Sequence, residues 1–211
     1  MVKTLLPDIP NWASPALQGL TYWLGSQHAL GLAANISEGA IAWELSRLLF
    51  AHRDAKRILE AEVLYRHIPE LNVRGQLETS LDRADLVIAN RARPSRDEPY
   101  ALGCVEALIE IKHSRSQKRL VWQDIDFLGA QRQASRKRVR AFMIYASVNQ
   151  RPADFTDGSG AAVKPRNRNS PNQQTPYRVR RVCRATSRIP SQNSGAIGHY
   201  AVLIEVAPGA A

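Results

Sequence analysis

In the middle of the chain, apolar residues occur in three short runs of strand length. A segment with helical spacing lies between the second run and the third. One run, Leu-Val-Ile, follows Asp85, and a second extends from Val105 to Lys112. Runs rich in β-branched residues between polar, Pro-containing connections are typical of buried strands. Residues 121–138 carry apolar positions three and four apart and predict a helix, and residues 141–148 predict another buried strand. A strand, a helix and a strand at this spacing predict a crossover unit with two parallel strands.

The first part of the chain predicts two helices and one ambiguous segment. Residues 1–16 contain three prolines and are predicted to be irregular, and residues 17–32 predict a helix that buries Trp23 and Leu24. Ser37 is a candidate N-cap for a helix over residues 38–51, where apolar residues recur at helical spacing. Residues 58–65 alternate as a strand would, although their good helix formers could equally continue a helix.

The last part of the chain changes in character twice. Residues 149–176 are rich in Pro, Gly, Asn, Ser and Arg and predict a long, mobile, basic loop. Residues 177–186 are compatible with a strand, and residues 199–206 predict a final strand that we expect at a sheet edge. The predicted organisation is an irregular or helical extension over residues 1–36, followed by one domain over residues 37–211.

Three ionisable residues stand where buried strands normally carry none. Asp85 opens an apolar run, while Glu110 and Lys112 lie on either side of an isoleucine. Side chains of a strand alternate between faces, so Glu110 and Lys112 point the same way and can meet Asp85 if the two strands pair. Two carboxylates at that separation suit a hard cation such as Mg²⁺. The alternative is a structural ion pair, but buried pairs often fail to stabilise, which favours a functional site.

This pattern resembles the PD-(D/E)XK nuclease superfamily. The resemblance rests on Asp85 and on the tripeptide Glu110-Ile111-Lys112, and it covers roughly residues 37–148. Ala84 stands where many members have proline. The resemblance implies an α/β fold, with a restriction-endonuclease-like mixed central β-sheet flanked by helices.

The resemblance also implies roles for individual residues. Asp85 and Glu110 would be metal ligands for Mg²⁺ (or Mn²⁺), with the Ile111 carbonyl as a further oxygen. Lys112 would orient or deprotonate the attacking water and stabilise developing charge. Gln131 is a weaker candidate on the following helix, and His113 is expected to be structural because alternation turns it to the other face.

Members of this superfamily often add a glutamate from the helix before the first strand. Glu38 matches the expected spacing to later apolar residues, and Glu44 is the substitute. Either residue could instead be solvated, with Glu38 complementing the helix dipole. The family core requires a strand at residues 58–65, which favours that interpretation there, and residues 73–81 would then form a second or hairpin strand.

The implied activity is metal-dependent hydrolysis of phosphodiester bonds in DNA. The alternatives are a catalytically silent subunit of the same fold, which would bind nucleic acid or assemble with it without cutting, and a different enzyme in which the tripeptide is incidental. Related nucleases often dimerise, so a homodimer or a larger nucleic-acid-processing assembly is also expected.

Composition supports an anionic partner. The 211 residues are 44% hydrophobic, enough for a substantial core, and they carry a net charge of +10. Two dense basic runs are candidates for phosphate contacts, with a solvated surface as the alternative. The residues chosen from these runs are Arg132, Arg136, Lys137, Arg138, Arg178, Arg180 and Arg181.

Cysteine usage and hydropathy bear on the compartment. Two widely separated cysteines give neither a disulfide framework nor a metal-binding spacing, which favours a reducing, cytoplasmic location. No apolar run approaches the ~20 residues of a membrane span, and early prolines interrupt any signal-peptide core. We therefore expect no membrane partner.

Overall fold

The computed structural model describes residues 10–32, 36–71, 82–136, 138–163, 168–171, 175–187 and 197–207. The helices are α1 (Ala13–Ala29), α2 (Glu38–His52) and α3 (Lys118–Ala134). The strands are β1 (Ile58–Leu64), β2 (Arg83–Ala89), β3 (Val105–His113), β4 (Arg140–Ser147), β5 (Arg168–Asn169), β6 (Pro176–Ser187) and β7 (Ile197–Val206). A 3₁₀ turn, Tyr65–His67, follows β1 directly. The hairpin strand predicted over residues 73–81 lies outside the described residues.

The strands form one mixed sheet in the order β1-β2-β3-β4-β7-β6-β5. The only parallel pair among the described strands is β3 with β4, joined through α3, so the predicted crossover unit is confirmed. The ambiguous segment before the first turn is a strand, β1, as favoured. The prediction of an α/β domain with a mixed sheet flanked by helices is therefore confirmed.

The position of β7 corrects one expectation. We expected this strand at a sheet edge, but it lies between β4 and β6. Its residues from His199 to Val206 are all buried. An uninterrupted buried run is the pattern of a strand covered on both faces, which an interior position provides.

Two hydrophobic layers cover the two faces of the sheet. On one face, α3 packs through Val121, Ile125 and Leu128. On the other face, α1 and α2 form a second layer, and α1 also packs on β6 and β7. The alternation of β3 follows this division, because Leu108 faces the α3 layer and Ile109 faces the α1–α2 layer.

Two helix boundaries differ from the sequence-based expectation. α1 begins at Ala13 rather than residue 17, with Pro15 in its first turn. Proline is tolerated there because the amide groups of the first turn have no acceptor within the helix. α3 spans Lys118–Ala134 rather than residues 121–138. Ser37 caps α2 as predicted, since its side chain accepts a hydrogen bond from the Ala40 amide at 3.1 Å.

The described part of the predicted mobile loop is folded onto the α3 layer. Phe155 is buried and packs against the rings of Trp122, Tyr145 and Tyr177, with centroid distances of 5.7, 5.3 and 6.2 Å. Phe155 therefore attaches this part of the loop to the core, and the mobility of residues 149–176 stays a prediction. A single aromatic residue in a polar segment is enough to anchor it to an existing aromatic cluster.

Candidate active site

Asp85, Glu110 and Lys112 lie together at one end of the sheet, as the sequence predicted. β2 and β3 are antiparallel with Leu86 opposite Ile109. One further step in that register places Asp85 opposite Glu110, on the face covered by α3. Burial raises the pKa of Asp85. A hydrogen bond between the two carboxyl groups lowers it, but by less than burial raises it. The two candidate metal ligands are therefore direct neighbours.

Asp85 is anchored to the backbone of the neighbouring strand. Its Oδ2 atom accepts a hydrogen bond from the Ile111 amide at 2.6 Å. Burial raises the pKa of this carboxyl, while the Ile111 amide and the charge of Lys112 favour its ionised form. The contact holds the Asp85 side chain beside Ile111, the residue whose carbonyl is the further candidate ligand.

Glu110 is the more buried of the two carboxyl groups. Glu110 is 8% exposed, and the Tyr65 hydroxyl donates a hydrogen bond to Oε1 of Glu110. Burial and the charge of Asp85 raise the pKa of Glu110 well above its ordinary range. Two carboxylates cannot both ionise easily at this separation without a positive charge beside them.

Lys112 is held by two further carboxylates. Its Nζ atom lies 3.0 Å from Asp124 Oδ2 and 3.4 Å from Glu38 Oε2. Burial lowers the pKa of Lys112, but the hydrogen bond to Asp124 and the surrounding carboxylates outweigh burial and raise it to about 12. The side chain is an ammonium ion at neutral pH, so of the two roles predicted for it, the geometry favours charge stabilisation over deprotonation of water.

The geometry also distinguishes the two helix glutamates. Glu38 reaches Lys112 with one oxygen, and its other oxygen accepts a hydrogen bond from the Ser116 hydroxyl. Both oxygens of Glu44 are instead engaged by Arg47, at 2.6 and 2.9 Å. Glu38 is therefore the helix carboxylate that the fold brings to the site.

Two minor candidates lie away from the cluster. His113 accepts a hydrogen bond from the Arg115 amide at 2.8 Å, a contact within the turn that leaves β3. Gln131 is buried on α3 seven residues beyond Asp124, roughly 10 Å along the helix axis. Neither side chain has a described contact with the three central residues.

The donor set suits magnesium or manganese. Among the described ranges, no group of three or more His, Cys, Asp or Glu side chains is placed to hold a metal ion. Mg²⁺ is commonly held by only one or two carboxylates, with water and substrate phosphate completing its shell. Asp85 and Glu110, with the Ile111 carbonyl between them and Lys112, offer such a set of hard oxygen atoms. The residues present therefore fit the predicted metal.

The predicted phosphate-binding arginines divide into two groups. Arg132 and Arg180 are largely buried and lie 3.5 and 3.3 Å from the carboxylate of Glu205, which is itself 5% exposed. Arg132 also donates to the Val206 carbonyl, and Arg178 stands opposite Glu205 in the β6–β7 register. These contacts make Arg132 and Arg180 internal counter-ions of Glu205, a role that sequence analysis did not foresee.

The described members of the second group are exposed, and those that follow α3 are distant from the cluster. Arg136, Arg138 and Arg181 are exposed, and Lys137 lies outside the described residues. Ala107 pairs with Arg140 at the start of β4, whereas Lys112 pairs with Tyr145. Five residues of strand separate the two positions, roughly 16 Å. The basic end of α3 is therefore at the opposite end of the sheet from Lys112.

Tyr65 and Asp124 are site residues that the sequence analysis missed. Asp124 lies three residues after Val121 and four before Leu128, within the buried stripe of α3. A carboxylate inside an apolar stripe was a usable signal. Tyr65 gave no such signal, because its partner is 45 residues away in the chain.

Comparisons with protein-family models, with curated proteins and with solved structures gave no match to this chain. Within the described residues, no helix is long and apolar enough to cross a membrane.

Proposed function

We propose that the protein is a divalent-metal-dependent nuclease of the PD-(D/E)XK type, with a restriction-endonuclease-like core, that hydrolyses phosphodiester bonds in DNA. The observation that carries the proposal is the pair of neighbouring carboxyls, Asp85 and Glu110, beside the ammonium of Lys112. Burying like charges side by side is unfavourable unless a cation or a proton joins them. Such arrangements concentrate at functional sites.

The cation would be held by Asp85, Glu110 and the Ile111 carbonyl. When bound, Mg²⁺ or Mn²⁺ supplies Lewis-acid polarisation of the phosphate and activation of the attacking water. Tyr65 fixes Glu110, and the Ile111 amide fixes Asp85, so both carboxyls are oriented before the metal arrives. Orientation by hydrogen-bonded neighbours is what gives a metal site its affinity and geometry.

Lys112 would act on the substrate through its charge. It remains protonated between Glu38 and Asp124, so its ammonium can donate to a phosphate oxygen or to the attacking water. A fixed positive charge there stabilises the negative charge that develops on phosphate during attack. The water would lose its proton to a group other than Lys112, because an ammonium ion has no acceptor.

The net charge of +10 supports an anionic substrate. Two exposed cations lie at the start of elements that carry the cluster: Arg83 is the first residue of β2, and Arg119 lies in the first turn of α3. Phosphate contacts of this kind position a nucleic acid without selecting a sequence.

The test is cleavage of linear and supercoiled duplex DNA, single-stranded DNA and RNA, with Mg²⁺ or Mn²⁺ and with EDTA. Wild type is compared with Asp85→Ala, Lys112→Ala and the control Lys118→Ala, whose exposed partner is Asp154 at 2.9 Å. We expect metal-dependent cutting of DNA that the first two substitutions slow strongly, to a residual rate, and that the third preserves. Salt-sensitive binding without cutting would instead indicate the silent, nucleic-acid-binding subunit. Absence of both binding and cutting would overturn both functions.

A further inference from the structure

Lys112 connects the two helical layers at the end of the sheet. Glu38 approaches from α2, which belongs to the layer on one face, and Asp124 approaches from α3, which covers the other face. The ammonium is therefore clamped between one carboxylate from each layer. Its side chain is 16% exposed, so both contacts are partly shielded from water.

We propose that Asp124 is a positioning residue of the site, which holds the Lys112 ammonium in the orientation needed to meet phosphate or water. This inference rests on the proposed nuclease function and adds to it a residue that the sequence pattern does not assign. Asp124 acts through Lys112 and is not itself expected to contact the metal or the scissile phosphate.

The donors of an ammonium group explain why two partners matter. Lys112 has three N–H donors, and Asp124 and Glu38 can each accept one of them. One N–H then remains for the reacting atoms, and its direction is fixed because the other two are engaged. A lysine without these partners would rotate among several rotamers and present its charge in many directions.

Asp124 is the firmer of the two partners. Its distance to Nζ is 3.0 Å against 3.4 Å for Glu38, and its side chain is 30% exposed against 39%. It also has a shorter side chain, rooted in the part of α3 that buries Val121 and Ile125 in the core. Glu38 is the first residue of α2 and divides its carboxylate between Lys112 and Ser116.

The chain offers a matched control for Asp124. Lys118 and Asp154 form a similar ion pair at 2.9 Å, which also involves α3, but this pair is exposed and has no described contact with the cluster. Asp154→Asn therefore removes an aspartate from an ion pair with α3 without touching Lys112. Asp124→Asn removes the charge at nearly constant size, and Asp124→Glu restores the charge at a different reach.

The experiment measures single-turnover cleavage as a function of DNA and Mg²⁺ concentrations. We expect Asp124→Asn to lower the rate constant by about 10- to 100-fold, because a misplaced catalytic group costs rate more than binding. The DNA and Mg²⁺ concentrations for half-maximal rate should stay unchanged, and Asp124→Glu should recover part of the loss. Asp154→Asn should behave as wild type. In the Lys112→Ala background, Asp124→Asn should produce no further loss.

Three outcomes would overturn the proposal. An Asp124→Asn enzyme at the wild-type rate shows that the contact is dispensable. A raised Mg²⁺ requirement makes Asp124 a metal ligand rather than a positioning residue. A full additional loss in the Lys112→Ala background shows that Asp124 acts independently of Lys112.

A second readout does not depend on cleavage. Unfolding by urea is measured for Lys112→Met, Asp124→Asn and the double variant, and the changes in the unfolding equilibrium are compared. Non-additive changes demonstrate the coupled pair, and additive changes in an active enzyme overturn the positioning role alone. A wild-type protein that cuts no nucleic acid overturns the nuclease proposal and, with it, a catalytic purpose for the pair.

Discussion

Tyr65 donates a hydrogen bond from its hydroxyl to Oε1 of Glu110, so a residue from the 3₁₀ turn after β1 holds the more buried carboxyl of the candidate site. The Tyr65 ring is itself fixed by an edge contact with Phe127 of α3, at a centroid distance of 4.9 Å. Tyr65 is therefore held at its hydroxyl by Glu110 and at its ring by Phe127. It orients a candidate ligand while favouring its ionised form.

Tyr65→Phe tests this contact with little disturbance of packing. Loss of the hydroxyl should weaken Mg²⁺ binding by about 10-fold or more, as is typical when a group that orients a ligand is removed. It should also destabilise the metal-free protein by only about 1–2 kcal/mol. Calorimetric titration with Mg²⁺ measures the first effect and urea unfolding the second. Tyr145→Phe, in the Phe155 cluster, is the control, and equal Mg²⁺ affinities for all three proteins would contradict the prediction.

Glu110→Gln should separate stability from metal binding. The charge of Glu110 is disfavoured by burial and by Asp85, which together raise its pKa well above its usual range. A neutral amide carries no charge to desolvate or to repel Asp85, so it should raise the free energy of unfolding in EDTA. Mg²⁺ should stabilise wild type and leave Glu110→Gln unchanged.

Thermal unfolding in EDTA and in Mg²⁺ measures both effects of Glu110→Gln. Glu44→Gln is the control, because Glu44 is paired with Arg47 outside the cluster. A Glu110→Gln protein that is less stable than wild type in EDTA, or that still responds to Mg²⁺, would contradict the prediction.

His199 should give the protein an acid-sensitive stability. It is fully buried on β7, with Nε2 2.6 Å from the Ser187 hydroxyl and with no described partner for Nδ1. Burial, followed by the nearby His28 ring, lowers its pKa from 6.5 to about 4. A lowered folded-state pKa means that the stabilisation is present above pH 6.5 and is lost as the pH falls from 6.5 towards 4. The full effect is about 3 kcal/mol.

Urea unfolding of wild type and His199→Gln between pH 4 and 8 measures this effect. We expect the variant to lose much of the decline on the acid side, while the exposed His52→Gln follows wild type. Parallel curves for wild type and His199→Gln would show that another group is responsible.

Arg132→Ala and Arg138→Ala should have opposite effects on stability and on DNA binding, although the two residues are close in sequence. Arg132 pairs with buried Glu205 and the Val206 carbonyl, so Arg132→Ala should destabilise the fold by about 2 kcal/mol. Arg138 is exposed. If nucleic acid reaches this end of the sheet, Arg138→Ala should reduce the salt dependence of binding by about one phosphate contact and leave stability unchanged.

Urea unfolding and binding of labelled duplex DNA at several salt concentrations separate the two arginines. A stability loss at Arg138, or an unchanged stability at Arg132, would contradict the assignment of internal and surface roles. Unchanged DNA binding in Arg138→Ala would place the nucleic acid elsewhere, nearer Lys112.

The local features of the site were predictable because they follow from period and spacing. Alternation on β3 put Glu110 and Lys112 on one face, and the resemblance to the nuclease superfamily favoured Glu38 on α2. The contacts of Tyr65 with Glu110 and of Arg132 with Glu205 join residues 45 and 73 positions apart. No periodic pattern in one segment reports a partner in another, so these contacts required the assembled sheet.

The order of the strands was only partly predictable, again because a pattern in one segment does not report which other segment it pairs with. β3 and β4 could be paired from sequence because a helix between two strands constrains them to lie parallel and close. β7 was recognised as a strand but wrongly expected at a sheet edge; its buried run indicates an interior position without saying which strands flank it. Its pairing with both β4 and β6 depends on side-chain packing across the whole sheet.

The clamp on Lys112 has a consequence for the newly made chain. Glu38 and Lys112 are synthesised before Asp124, and α3 is held against the sheet partly by β4 and β7, which follow it in the chain. We therefore expect the contact of Asp124 with Lys112 to form only once β4 and β7 hold α3 in place. For a protein that we propose cuts DNA, this order predicts that a chain interrupted before β7 has little or no activity.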